Sequence, residues 1–170
     1  MSDAFELTVH RTIAAPAERL FDAWLDTESL SRWMRPNAIS ETRAENDPRV
    51  GGEFRIVMVR DETGVLHRGT YREIDRPRRL VFTWSSPETH FHDSLVTVTF
   101  ELAPEGSTLV TIHQTRLPDE ASQADHTEGW TEILAGLARL HGAAESPASD
   151  DGRAGAPAAP STATNERRRS

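Results

Sequence analysis

The chain contains no cysteine and no lysine. Without thiols, disulfides, thiol nucleophiles and thiolate metal centres are excluded. Without lysine there is neither a lysine Schiff base nor a lysine phosphate clamp. All 19 basic residues are arginine, a bias that, with the many alanines, reflects a GC-rich genome more than chemistry. Tyrosine occurs once, at Tyr71. Long apolar runs are missing as well: the longest aliphatic stretch, Ile56-Val57-Met58-Val59, is far shorter than a membrane span. No basic segment leading into an apolar one stands near Met1. These absences predict no membrane insertion and a cytoplasmic location. Gly51-Gly52 lacks the pattern of a phosphate loop and reads as a turn or bulge before a strand. No segment has the form of a nucleophile elbow.

What the chain has in excess is acid. Its 170 residues carry 27 Asp and Glu, for a net charge of −8. The length predicts one domain with additional chain. From Ala143 the sequence turns rich in Ala, Pro, Ser and Gly without a large apolar residue, which predicts a domain over 1–142 and a disordered tail over 143–170. The tail holds four acids and four arginines, so the domain keeps 23 acids against 15 arginines and the whole negative charge. That balance argues against nucleic-acid binding. The terminal Arg167-Arg168-Arg169 is read as solvated.

Phe5 to Ile13 alternates apolar and polar residues as a half-buried strand does. Ala15-Pro16 opens a helix whose buried face is Leu20, Phe21, Trp24 and Leu25. Asp26-Thr27 starts a second, with Leu30, Trp33 and Met34 inward, ended by Pro36. Strands then follow one another: a weak candidate over Ser40–Glu45, a stronger one over Glu53–Arg60, a turn at Asp61-Glu62-Thr63-Gly64, and strands over Val65–Ile74 and Arg79–Ser85. After a polar loop from Ser86 to Asp93 come Leu95–Leu102 and Ser107–Thr115. Asp119 can cap a final helix running to about His141, with Gly142 as its stop. Within that helix Trp130, Ile133, Leu134, Leu137 and Leu140 draw one apolar stripe. Gly129 interrupts helical propensity at a cost of about 1 kcal/mol relative to Ala and so marks a close approach or an open space. Consecutive strands with segregated helices predict an α+β fold, a curved antiparallel sheet wrapped around the long last helix.

Several blocks, in order, resemble the activator-of-heat-shock-protein-90-ATPase-like family of the START-like (SRPBCC) superfamily. They are Arg11-Thr12-Ile13-Ala14-Ala15-Pro16-Ala17-Glu18 with Leu20-Phe21 and Trp24; Trp33 with Pro36; and Asp47-Pro48-Arg49-Val50-Gly51-Gly52-Glu53-Phe54 with Met58. Gly69-Thr70-Tyr71-Arg72-Glu73-Ile74 with Pro77, Arg79-Leu80-Val81-Phe82-Thr83-Trp84, Val96-Thr97-Val98-Thr99-Phe100-Glu101 and Gly129-Trp130 with Leu134, Leu137 and Leu140 complete the set. The resemblance spans Phe5 to Leu140. It implies a helix-grip fold with a cavity between sheet and C-terminal helix. Relatives in the wider superfamily bind lipids, hormones or polyketides, some cyclise or dehydrate, and others partner the heat-shock chaperone in stress responses. The chaperone activators of eukaryotes carry an additional N-terminal domain that does not fit in this chain.

Strand alternation sets the candidate site. With Leu7, Val9, Phe54, Ile56, Met58, Leu80 and Phe82 inward, Tyr71 and Trp84 follow. In the last strand Val110 and Ile112 bring Gln114 in and turn His113 out. These residues either fill a core or wall a pocket. The resemblance favours the pocket, with Trp33, Met34, Phe54, Ile56, Met58, Tyr71, Phe82, Trp84, Gln114, Trp130 and Leu134 as ligand-binding candidates. Arg11 shares the inward phase of its strand, where it could anchor an anion or pair with Glu73. His67, His90 and His92 are read as surface residues, because no third ligand follows at a metal-binding spacing. His126 and His141 lie on or beside the last helix, where Asp125 and His126 do not face one another. No metal and no cofactor is expected.

The leading expectation is a non-catalytic binding protein for a small hydrophobic molecule, as monomer or homodimer. An enzyme of cyclase or dehydratase type comes second. It has Tyr71 as its best acid and, by phase, no inward histidine or carboxylate to serve it. A protein-interaction module, with the chaperone as partner, comes third.

Overall fold

Residues 5–36 and 38–142 are described by the computed structural model; the expected tail over 143–170 lies outside them. Strand β1 (Phe5–Ile13) leads into helices α1 (Ala17–Leu25) and α2 (Thr27–Trp33). Six strands follow in succession: β2 (Glu41–Asn46), β3 (Glu53–Arg60), β4 (Thr63–Asp75), β5 (Arg79–Trp84), β6 (Ser94–Leu102) and β7 (Thr108–Leu117). Helix α3 (Glu120–His141) comes last. The seven strands form one antiparallel sheet in the order β1-β7-β6-β5-β4-β3-β2. Each strand of the meander lies beside its predecessor, and β1 joins at the far edge against β7. The curved sheet buries one face against the helices, which is the helix-grip arrangement.

The local signals act as elementary chemistry requires. The Asp26 side chain accepts from the Ser29 N–H at 3.0 Å and starts α2; Asp119 accepts from Ser122 N–H at 2.8 Å and starts α3. Pro16 sits at the N-cap of α1, one residue before the expected first-turn position. Helix α2 stops at Trp33, three residues ahead of Pro36. The β3–β4 turn is shorter than its sequence suggests. Asp61 and Glu62 both take left-handed backbone (φ 50° and 67°) and Arg60 pairs with Thr63, so Thr63 and Gly64 already belong to β4. This two-residue turn matches the right-handed twist of its strands. The weak candidate over Ser40–Glu45 is a real edge strand, displaced by one residue.

Leu7, Phe54, Ile56, Met58, Tyr71, Leu80, Phe82, Trp84, Val110, Ile112 and Gln114 are all buried, as strand alternation requires. Arg11 departs from the pattern. It is exposed, because on an edge strand the guanidinium keeps its hydration at no cost. Its expected partner Glu73 is bound by Arg79 at 3.1 Å. Two glycines are forced by close approach. A Cβ on Gly69 would lie 1.8 Å from the Thr83 carbonyl oxygen and 2.6 Å from the Phe54 ring, so β4 can press against β5 and the core only there. A Cβ on Gly136 would lie 2.8 Å from the Trp33 carbonyl oxygen, where α3 passes the end of α2.

Candidate functional site

Two spaces bear on the expected site, and they differ greatly in size. The deeper lies in the aromatic interior among Trp24, Met34, Phe54, Tyr71, Phe82 and Trp84 and holds about 10 Å³, the room of a single water at most. Its aromatic rings stack at centroid distances of 5.4 Å for Phe54–Tyr71 and 5.4 Å for Phe54–Phe82, which closes it. The second is a cleft of about 310 Å³ at one end of α3, facing β3, β4 and β5. That volume is at the small end of the roughly 300–1,000 Å³ range of ligand sites. A wider depression of about 760 Å³ beside the β6–β7 turn is bordered by Asp75, Arg78 and Arg79, side chains already in ion pairs.

The apolar wall of the cleft is built from Pro36, Ile39, Met58, Val65, Trp84 and Trp130, with Ile133 beyond. The two indoles lie 5.0 Å apart, centroid to centroid. Gly129 forms part of the same wall, and a Cβ built there meets nothing within 4 Å. Its missing side chain is therefore part of the cleft's volume. Among the expected ligand-binding residues, Met58, Trp84 and Trp130 border this cleft. Met34, Phe54, Ile56, Tyr71 and Phe82, with Trp84, border the 10 Å³ void instead. Trp33, Gln114 and Leu134 are fully buried and border neither.

The polar candidates are tied into the frame. The Tyr71 hydroxyl donates to Asn46 Oδ1 at 2.6 Å, and burial drives its pKa well above the ordinary phenol value. Gln114 accepts from Trp130 Nε1 at 2.7 Å and donates to Ser94 Oγ at 2.8 Å, while Ser94 Oγ donates to the Trp84 carbonyl at 2.6 Å. This relay runs from α3 through β7 and β6 to the backbone of β5; it holds the Trp130 indole by its N–H and ties down the main chain that carries Trp84.

Two histidines are buried in the wall: His67, which the sequence placed at the surface, and His126, which it placed only on the last helix. His67 is 8% exposed and His126 is 7% exposed, and both border the cleft. The signal was present: His67 precedes Tyr71 by four residues on β4 and shares its face, and His126 precedes Trp130 by one helical turn. The expectation that no histidine faces inward is corrected accordingly. His67 Nδ1 lies 3.1 Å from the Val65 carbonyl, and His126 Nδ1 lies 2.8 Å from the Ser122 carbonyl. A carbonyl only accepts, so in the neutral ring each Nδ1 carries the proton and each Nε2 presents a lone pair. Burial lowers the His67 pKa, with Glu88 acting in the opposite direction and His126 reinforcing the drop. Glu88 Oε1 stands 3.7 Å from His67 Nε2 and also accepts from Ser86 Oγ at 3.0 Å. Around the mouth lie Asp125, Glu128 and Glu132, with Arg60 as the one arginine among the described residues there. The buried indole N–H of Trp84 has no partner among the described residues.

The other histidines lie elsewhere. His90 Nε2 meets Asp119 Oδ2 at 2.9 Å, His113 Nε2 meets Glu6 Oε1 at 2.6 Å, and His141 Nε2 lies 2.8 Å from Ser29 Oγ. Among the described residues no group of three or more His, Asp or Glu side chains is placed to hold a metal, and no helix is long and apolar enough to cross a membrane.

A seven-stranded antiparallel sheet closed by one long helix, with a cleft at their junction, defines a START-like, helix-grip protein. Residues 14–142 match the family described as Activator of Hsp90 ATPase homolog 1-like protein, and the chain belongs to that family. Among solved structures it is similar to protein CV1439 from Chromobacterium violaceum, at 26% identity and a TM-score of 0.71 over 80% of this chain and 96% of that one. It is also similar to PFC0360w, an HSP90 activator from Plasmodium falciparum, at 26% identity and a TM-score of 0.62 over 81% and 94% of the two chains. Protein Ms6760 from Mycobacterium smegmatis shares the fold at 21% identity and a TM-score of 0.66, over 85% and 99%. No curated protein matches the sequence.

Proposed function

We propose that this protein binds a small, largely apolar molecule in the cleft between β3–β5 and α3. One observation carries the reading: the interior is closed to about 10 Å³, yet a cleft of about 310 Å³ is kept open beside a helical glycine whose missing side chain would occupy it. A glycine inside a helix costs stability, and open space at this position is what that cost maintains. Trp84 and Trp130 supply apolar walls, Trp130 held through its indole N–H by Gln114 and both buried in the core, so that they need not be ordered on binding. Thermal-shift and ligand-observed NMR screening of a hydrophobic library, on the natural chain and on Gly129→Leu, tests the reading. Hits on the natural chain that vanish in the Gly129→Leu variant are expected. Hits that survive the substitution, or a library without hits, would overturn it.

A catalytic reading has one specific support, the two Nδ1-protonated imidazoles whose Nε2 lone pairs are suited to take a proton. Under that reading His67 or His126 is the base. Tyr71 serves the frame, since its hydroxyl is engaged by Asn46 and it does not border the cleft. A chaperone partner finds its support in the likeness to the Plasmodium falciparum activator. Capture of the chaperone by the full chain at low salt would support that role, and its absence would count against it.

A further inference from the structure

Resting on the cleft being a ligand site, the chemistry of its polar wall narrows what the ligand is. His67 Nε2 and Glu88 Oε1 face one another at 3.7 Å. With the His67 ring protonated at Nδ1 toward the Val65 carbonyl, both facing atoms are acceptors and no proton lies between them. Two acceptors turned toward each other in a partly dry site are repulsive until a donor enters. An N–H group at about 2.8–2.9 Å from each would bond to both at once. His126 supplies a further acceptor by the same logic. Its Nδ1 is committed to the Ser122 carbonyl, the residue is 7% exposed, and its Nε2 has no partner among the described residues.

The field around these acceptors has one sign. Among the described residues, Glu88, Asp125 and Glu128 border the cleft, with Arg60 as the one arginine. A carboxylate ligand would meet that rim at an energetic cost, whereas an ammonium group would be drawn in. Trp84 and Trp130 stand in the same wall, and an indole face attracts a cation.

We infer that the ligand is a hydrophobic amine, its ammonium group donating to His67 Nε2, Glu88 Oε1 and His126 Nε2 while its apolar body lies against the two indoles. The wall offers acceptors to such a head group and shelter to such a body. The anionic head of a fatty acid or an organic phosphate would meet acceptors where it needs donors. The buried indole N–H of Trp84 stays outside this assignment.

The test uses three probes with one body and different heads, 2-(1-naphthyl)ethylamine, 2-(1-naphthyl)ethanol and 1-naphthylacetate, titrated calorimetrically into the full chain near neutral pH. The amine is expected to bind about ten- to a hundredfold tighter than the carboxylate, with the alcohol between, as charge-assisted hydrogen bonds require. The gap between amine and carboxylate should narrow at 1 M salt. Glu88→Gln gives His67 Nε2 an amide donor in place of the facing carboxylate, and should cost the amine about tenfold while leaving the alcohol unchanged. The comparison among the three probes on the natural chain needs no variant to fold. Equal affinity of the three, or preference for the carboxylate, would overturn the amine assignment and leave the cleft as a ligand site. Binding of the amine unaffected by Glu88→Gln would overturn the assignment too. Failure of every probe would take the binding reading down with it.

Discussion

Helix α3 contains two glycines seven residues apart, and the structure gives them opposite tasks. Gly129 faces the cleft, where a Cβ would meet nothing within 4 Å. Its replacement by alanine adds no contact and removes a helix-interior glycine, a gain of about 0.8–1 kcal/mol. In a domain of this size that is roughly 3–5 °C in Tm. Gly136 touches the end of α2, where a Cβ would sit 2.8 Å from the Trp33 carbonyl oxygen. The same propensity gain applies there, but the contact is with backbone and can be relieved only by separating two packed helices. Overpacking of that kind costs about 1–3 kcal/mol, which leaves Gly136→Ala between neutral and about 2 kcal/mol destabilised. The two variants should therefore differ by roughly 1–3 kcal/mol with Gly129→Ala the more stable. Urea unfolding followed by fluorescence measures this directly, since all four tryptophans are buried and report on the core. A Gly129→Ala chain that is less stable than the natural one, or a Gly136→Ala chain stabilised to the same degree as Gly129→Ala, would refute the assignment of the two glycines.

Other outcomes follow from the same geometry. Trp130→Phe removes the donor that meets Gln114 Oε1 at 2.7 Å and leaves a buried carbonyl oxygen unpaired, so it should lose about 1–3 kcal/mol by urea unfolding; no loss would show that the relay is not structural. Tyr71→Phe leaves Asn46 Oδ1 without its donor and should cost about 1 kcal/mol, while cleft binding of a hydrophobic probe stays unchanged; a lost probe site would place Tyr71 in the function after all. The lowered pKa of His67 gives a pH dependence with a definite sign. The unfolded chain takes up the proton first, so stability is full above the ordinary histidine pKa of 6.5 and falls as pH drops below it, by up to about 1.4 kcal/mol per unit from this group. His141, also lowered but far less enclosed, adds a smaller contribution of the same sign. Unfolding curves at pH 7.5 and 5.5 should show the drop, and His67→Phe should flatten it. A drop of equal size in that variant would assign the effect elsewhere.

The class of fold follows from the sequence alone, because each strand and helix carries its own period. Alternation from Phe54 to Met58 and from Val110 to Gln114, the helical stripe and the caps at Asp26 and Asp119 are local properties, and the folded chain keeps them, except that the stripe ends at Leu137 and Leu140 is exposed. The sequence also contained a sign of the cleft, since a glycine at 129 is unfavourable in any helix. Three-dimensional packing supplied what alternation cannot express. Phase says that Phe54, Tyr71 and Phe82 point inward, but whether inward means a pocket or a packed core depends on how rings from three strands meet, and here they close to about 10 Å³. Edge position released Arg11 to solvent despite its phase. The buried histidines are the clearest case. His67 and His126 are 59 residues apart in sequence and border one cleft only because the fold sets β4 and α3 on either side of it, and their carbonyl partners then fix which nitrogen carries the proton. Residue type gave each an imidazole; only the fold brought both to the same cleft.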